Sequence, residues 1–289
     1  MRIGLLISGS LGNIVLHHLI KNHNIIFILT DKKSTEIIEE CKKNDIKTYI
    51  GNPRGNRILS FIKDIKIEVL ISANYLFLIE NDLINLPSLI AFNIHGSLLP
   101  KYRGRTPHVW AIINGEKETG ITAHEINLKC DEGDILYQRK IKINADDTGA
   151  DILKKFKNNY TKIIDIVLKK TSNNSLIKIK QNNPDSSFFG KRTPDDGGIN
   201  WDLSMKQIKD WIRAQAYPYP GAFTYYESKK IIIDKVSFTN LSFDKKLLNG
   251  TIILKDNYTY VKVKDGFLKI EKVRNKVSFK NLIRFKNEN

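Results

Sequence analysis

The feature that most constrains this chain is the alternation of apolar runs with amphipathic stretches over its first hundred residues. Residues 2–8 form an apolar run closed by Gly9-Ser10-Leu11-Gly12 and followed by a helical pattern through Ile20. Residues 24–29 read as a second strand, 34–43 as a helix with Ser34 as N-cap, 46–50 as a short strand, 56–64 as a helix and 67–72 as a buried strand. Strands and helices in strict alternation belong to a parallel sheet with helices on both faces. The next strand is 88–95. Segments 120–127 and 134–143 predict an antiparallel pair closing the sheet, and 151–169 a long amphipathic helix capped from Asp146-Asp147-Thr148. The class is α/β.

The character changes after Pro184. Residues 182–198 are polar, hold Pro184, Pro194, Gly197 and Gly198, and read as a linker or a functional loop. A short helix is predicted over 205–213. Five short strands follow, at 223–226, 231–238, 250–254, 258–264 and 267–273, a spacing that suits a small barrel. The predicted organisation is an N-terminal domain over 1–204 and a small β domain over 205–289, with no internal repeat.

A chain of 289 residues, 41% hydrophobic, can bury one large or two modest cores. No apolar run approaches the roughly 18 residues that span a bilayer, so no membrane partner is expected. The start runs straight into structure and does not look like a signal peptide. Cys41 and Cys130 form neither a disulfide framework nor a metal pattern, which fits a reducing cytoplasm. The formal charge of +16 invites a nucleic-acid reading. Lysines are spread along the whole chain, however, alongside abundant Ile and Asn, so a compositional bias explains the charge better. A general positive field still favours a nucleotide diphosphate. Gly9-Ser10-Leu11-Gly12 lacks the three-glycine spacing of a dinucleotide fingerprint and reads as a tight strand-to-helix turn.

The chemistry concentrates in Asn93-Ile94-His95-Gly96-Ser97-Leu98-Leu99-Pro100, with Asp131 downstream in Asp131-Glu132-Gly133-Asp134. Residues i and i+2 of a strand share a face, so Asn93 and His95 project together from a strand end. An amide donor beside an imidazole suits acyl transfer: the amide stabilises an oxyanion and the imidazole moves a proton. A carboxylate such as Asp131 can orient that imidazole. His17, His18, His23 and His124 belong to no constellation, whereas His108 lies near the proposed site. No cluster of His, Cys and carboxylates calls for a metal.

Residues 92–104, the run Gly115-Glu116-Lys117-Glu118-Thr119-Gly120 and the 131–134 segment resemble the 10-formyltetrahydrofolate-dependent formyltransferases, over about 73–143 and again over 191–223. The resemblance implies a Rossmann-like formyltransferase domain followed by a small OB-like barrel. It implies that Asn93, His95 and Asp131 are catalytic, with a cis bond before Pro100. N10-formyltetrahydrofolate is the implied one-carbon donor, its pterin lying against Tyr75, Leu76, Phe77, Leu78, Asp131 and Asp134.

The family branches by acceptor. Members acting on initiator tRNA carry a long basic insertion after the second strand. Here Thr30-Asp31-Lys32-Lys33-Ser34-Thr35 leads straight into a helix. The runs Arg192-Thr193-Pro194-Asp195-Asp196 and Pro218-Tyr219-Pro220-Gly221-Ala222-Phe223 resemble the enzymes that formylate nucleotide-linked amino sugars. That branch implies an acceptor such as a dTDP-4-amino-4,6-dideoxyhexose, made for O-antigen or other lipopolysaccharide. Lys101, Arg103, Arg105, Lys191 and Arg192 are then candidates for the diphosphate, Thr106 and His108 for substrate contact, and Tyr217, Tyr219 and Phe223 for the base. Exposed barrel strands could pair in a homodimer. Other readings are a methionyl-tRNA formyltransferase, a formyltetrahydrofolate hydrolase, and an RNA-binding protein on a formyltransferase scaffold.

Overall fold

The computed structural model describes residues 1–242 and 246–286. Contacts divide the chain into two compact units. One comprises Met1–Gly104, Thr119–Ile141 and Lys155–Phe189; the other comprises Arg105–Glu118, Lys142–Lys154 and the chain from Gly190 onward. In chain order the elements are β1 (Arg2–Ile7), α1 (Gly9–Leu19), β2 (Asn24–Thr30), α2 (Thr35–Lys43), β3 (Lys47–Ile50), α3 (Leu59–Ile62), β4 (Ile67–Ala73), α4 (Asn81–Ile84) and β5 (Pro87–His95). There follow β6 (Arg103–Gly104), α5 (Pro107–Ile113), β7 (Glu118–Glu125), β8 (Ile135–Lys142), α6 (Gly149–Ser172) and β9 (Phe188–Phe189). Then come α7 (Met205–Ala214), β10 (Ala222–Tyr226), β11 (Lys229–Phe238), β12 (Ile252–Lys255), β13 (Tyr258–Val263) and β14 (Gly266–Val273).

In the first unit one sheet runs in the order β3-β2-β1-β4-β5-β7-β8. β1, β2, β3, β4 and β5 are parallel, and β7 joins antiparallel to β5. The central strand β1 buries Ile3, Leu5, Leu6 and Ile7, and Val15, Leu16 and Leu19 of α1 are also buried. A second cluster gathers Phe27, Leu29, Ile58, Ile62, Leu70 and Leu83. The chain crosses over between β1 and β4, so the carboxyl ends of β1, β4 and β5 form the edge where open α/β sheets bind ligands.

The structure differs from the sequence reading in four places. Ser34 stands at the N-cap of α2 but does not cap it. Its hydroxyl instead donates to Asp31 (2.6 Å) and accepts from the Gly9 N–H (2.9 Å), because the buried carboxylate competes for it. The helix read over 56–64 is the single turn α3, since Asn56 takes a left-handed backbone (φ 64) that a right-handed helix does not admit. Between the strand read over 88–95 and that over 120–127, where the sequence reading placed no element, the structure has β6 and α5, which opens at Pro107. The segment read as a linker or a functional loop contributes β9, which pairs with β6. The α6 cap is present: the Thr148 N–H (2.9 Å) and hydroxyl (2.7 Å) donate to Asp151, whose N–H returns a bond to the Thr148 hydroxyl.

In the second unit five antiparallel strands run in the order β10-β11-β14-β13-β12. Residues 282–286 hydrogen-bond to Ile252 and Gly250 on one side and to Tyr225 on the other, so the last described segment covers both outer strands and closes the sheet. Trp201 stacks on Phe285 (5.3 Å between centroids), and Ile208 and Ile212 of α7 pack into the same core with Ile231, Ile233, Val261 and Leu268. Among the described residues no helix is long and apolar enough to cross a membrane.

Candidate active site

Asn93 and His95 stand at the carboxyl end of β5, on one face of the strand. In the β5–β7 ladder Asn93 lies directly opposite His124, which brings a second imidazole onto that face. His124 Nδ1 is 2.8 Å from the Glu125 carbonyl, and a carbonyl only accepts, so Nδ1 carries the proton. His124 Nε2 is left to accept from Asn93 Nδ2 at 3.1 Å. The Asn93 amide is thereby aimed, with its second N–H still to offer.

The His95 ring is fixed in the same way. Its Nε2 is 2.8 Å from the Tyr102 carbonyl and must be the donor. Its Nδ1 faces Asp131 Oδ1 at 3.5 Å, and His124 Nε2 lies 3.5 Å from that same oxygen. This departs from the relay that triad logic suggested. There, a carboxylate holds the nitrogen opposite the working one. Here a backbone carbonyl holds the opposite nitrogen, and Asp131 sits beside the nitrogen free to accept a proton.

Burial pulls the His95 imidazole below its ordinary range, and the Asp131 charge and the Tyr102 carbonyl oppose that fall without reversing it. Burial alone would raise the Asp131 carboxyl. Attraction to the facing His95 and His124 rings when these are protonated, with the Gly104 N–H, outweighs it and holds the group well below the usual carboxylate range. The resting site is thus an ionised carboxylate beside a neutral imidazole. At neutral pH that pair is ready to take up a proton at Nδ1 and to stabilise the imidazolium that results.

The loops carrying these groups are held in unusual conformations. Tyr102 (φ 60) and Asp131 (φ 58) both occupy the left-handed region. Asp131 Oδ2 accepts from the Gly104 N–H at 2.9 Å and from the exposed Cys130 thiol at 3.4 Å. Gly104 has φ +96, and a Cβ there would overlap the Phe189 carbonyl; a Cβ at Gly133 would overlap the Glu125 carbonyl. The turn after β5, with its cis Leu99–Pro100 bond, is tied to the neighbouring strands by side chains. The Thr122 hydroxyl donates to the Ser97 carbonyl (2.7 Å) and Gln138 Nε2 to the Leu99 carbonyl (2.7 Å).

The segment expected to hold the pterin leaves the end of β4, whose Ala73 pairs with Ile94 of β5. Tyr75 and Phe77 meet edge to face (5.5 Å), and Leu76 and Leu78 are exposed. The buried Tyr75 hydroxyl has no hydrogen-bond partner among the described residues. Exposed apolar side chains on irregular backbone with an unused polar atom beneath suit a flat heteroaromatic ring. Asp134 contributes its carbonyl to the Glu125 N–H (2.9 Å).

Of the expected acceptor-side residues, Lys101 and Arg103 lie in the first unit. Lys101 is exposed, but Arg103 is buried and differs from expectation. Its guanidinium binds Gln181 Oε1 (2.7 Å) and Asn183 Oδ1 (3.0 Å) and faces Glu132 (3.7 Å), because the β6–β9 pairing turns it inward. The rest lie in the second unit. Arg105 and Lys191 are exposed, and Thr106 is left-handed (φ 48) with a buried hydroxyl. Arg192 is sandwiched between the indoles of Trp110 (4.9 Å) and Trp211 (4.6 Å) and donates to the Asp196 carbonyl. His108 Nε2 and the Tyr219 hydroxyl share a hydrogen bond of 2.7 Å. Burial brings the imidazole down to about 4 and pushes the phenol up to about 12. Tyr217 is 72% exposed. Phe223, expected to reach a base, is buried instead, with the Lys230 ammonium over its ring at 3.5 Å. Among the described residues no group of three or more His, Cys, Asp or Glu side chains could hold a metal.

The family described as Formyl transferase matches residues 1–168, and its C-terminal domain matches residues 191–284. The bifunctional polymyxin resistance protein ArnA of Wigglesworthia glossinidia brevipalpis is 37% identical over 236 residues, which is 80% of this chain; the chain spans 36% of that relative's length. WlaRD, a sugar 3N-formyl transferase solved in the presence of dTDP and 5-N-formyl-THF, superposes with a TM-score of 0.74 at 25% identity, covering 96% of this chain and 99% of that one. An N-formyltransferase of Helicobacter canadensis, in complex with folinic acid and dTDP-3-aminofucose, shares the fold at 22% identity (TM-score 0.73, 94% of this chain and 98% of that one). With the match running over more than half of its length, this chain belongs to the formyl transferase family.

Proposed function

We propose that the chain transfers a formyl group from N10-formyltetrahydrofolate to the amine of a nucleotide-linked amino sugar. The observation that carries this reading is the Asn93–His95–Asp131 arrangement at the carboxyl end of β5: a neutral base with a free Nδ1, a carboxylate beside it, and an aimed amide donor. The folate, when bound, supplies the electrophilic formyl carbon. The chain's own groups do the rest. Asn93 Nδ2 donates to the oxygen that gains charge as the amine attacks, a contact worth about 3 kcal/mol in comparable sites. His95 Nδ1 takes the amine proton, Asp131 stabilises the resulting cation, and the ring then returns the proton to the leaving nitrogen. The pterin is proposed to lie against the segment around Tyr75 and the loop that carries Asp134.

β2 ends at Thr30 and α2 begins at Thr35, which leaves no room for the basic insertion of the tRNA branch. Lys101, Arg105 and Lys191 are exposed cations for a diphosphate, and Tyr217 is an exposed ring for the base. Arg103 and Arg192 instead hold protein together. The dTDP-4-amino-4,6-dideoxyhexose expected from sequence stands as the first acceptor to test. The likeness to WlaRD favours its 3-amino isomer as the second. The same reading makes the chain a cytoplasmic enzyme of O-antigen or related lipopolysaccharide synthesis, able to pair as a homodimer. It is built of a catalytic part through Ser204 and a small β part from Met205. The test is a panel of dTDP- and UDP-linked 3- and 4-amino sugars incubated with 10-formyltetrahydrofolate and read by mass spectrometry. One acceptor should gain one formyl group; formate release with every acceptor unchanged would instead mark a hydrolase.

A further inference from the structure

The 181–189 segment, most of which falls in the stretch read from sequence as a linker or a functional loop, grips the site from both sides. At β6 and β9, Gly104 pairs with Phe189 and Arg103 with Phe188. The Ser187 hydroxyl accepts the Tyr102 N–H at 2.9 Å, and the Ser187 carbonyl accepts the Arg103 N–H at 2.8 Å. The Phe189 ring stacks on the Tyr102 ring at 5.0 Å and 15°. These contacts fix both flanks of the left-handed Tyr102 peptide, which points the Tyr102 carbonyl at His95 Nε2. At the other end of the segment, Gln181 accepts from Arg103 through Oε1 and donates through Nε2 to the carbonyls of Asp131 (2.8 Å) and Gly133 (2.7 Å).

We propose that 181–189 is the positioning element of the proton-moving group: Ser187 and Phe189 seat the Tyr102 carbonyl on His95 Nε2, while Gln181 ties the same strap to the Asp131 loop. The strap thereby decides which ring nitrogen is protonated at rest. A neutral imidazole has one N–H, and a fixed carbonyl at Nε2 commits it there, leaving Nδ1 bare toward Asp131. Without that carbonyl, the Asp131 charge would draw the proton to Nδ1, and the base would be blocked by its own tautomer. A left-handed, non-glycine Tyr102 persists only while its surroundings impose it. Ser187, Phe189 and Gln181 are positioning residues; none touches the reacting atoms in this argument.

The inference rests on the assignment of His95 as the proton-moving group, so the test separates the two. Nitrogen-15 NMR of the histidine rings, with the His95 signals identified by their loss in His95→Ala, reads the tautomer without reference to activity. The native ring should be protonated at Nε2, and Ser187→Ala and Phe189→Ala should shift population to Nδ1–H. Turnover should fall about ten- to a hundredfold with both KM values little changed, as for a misplaced group in an otherwise intact site. The acid limb of kcat should move to lower pH, because a carbonyl bound to Nε2–H favours the cation. Ser187→Thr and Phe189→Tyr should restore tautomer and rate together. A purely structural strap would lose stability and leave the tautomer alone, so an unchanged His95 tautomer in both alanine variants overturns the proposal. Normal turnover by His95→Ala would overturn the underlying assignment instead.

Discussion

Each polar group at the end of β5 acts through a partner that sets its direction. Asn93 is aimed by His124, His95 by the Tyr102 carbonyl, and Asp131 by the Gly104 N–H. Replacing Asn93, His95 or Asp131 by alanine should lower kcat by at least about a hundredfold, with smaller effects on affinity for the nucleotide sugar, because their work falls mainly in the transition state. Steady-state kinetics on the purified variants checks this. His124→Phe, which keeps the ring shape but removes the acceptor for Asn93, should cost about tenfold in kcat through misorientation. The pH dependence follows from His95. Its pKa lies below the ordinary histidine value, and in the proposed mechanism the neutral ring is the active form. Turnover should therefore hold as pH drops past about 6.5, the free-histidine value, and fall only as pH passes below the lowered pKa. A kcat profile bending at or above the free value would show a different base at work. Asn93 and His95 were legible because strand geometry puts i and i+2 on one face. His124 was not, because only the antiparallel register sets it opposite Asn93 across 31 positions. The Tyr102 contribution is a backbone atom and leaves no mark in side-chain chemistry at all.

At the level of elements, the alternating strands and helices were readable because burial imposes periodicity on them. Elements set by long-range pairing were not. β6 and β9 are two residues each and have no period to detect; they exist because each supplies the other's backbone partners. Charge likewise announced Arg103 and Arg192 as phosphate candidates, but sequence does not show what neutralises a charge. The structure shows a Gln–Asn–Glu set around one and two indoles around the other. The cap of α6 was legible in Asp146-Asp147-Thr148, and it gives a clean test of local energetics. Thr148→Ala removes the hydroxyl from both directions of the Thr148–Asp151 exchange. The variant should lose about 1 kcal/mol, seen as a lower urea midpoint at unchanged slope. A neutral result would mean that water replaces the cap without cost.

For the whole molecule, the formal charge of +16 and the closed C-terminal sheet are the features an RNA-binding reading would use. Nucleic-acid binding by phosphate contacts weakens steeply with salt, whereas a small diphosphate engages only a few cations. Under the proposed function the Asn93–His95–Asp131 arrangement has a catalytic use that a pure binder does not need. The direct test is a competition in one vessel. Charged initiator tRNA and the nucleotide-linked amino sugar selected from the panel compete for a limiting amount of labelled 10-formyltetrahydrofolate. The label should appear on the sugar amine and depend on His95. Label on the tRNA, with no turnover of any nucleotide-linked amino sugar, would contradict the account.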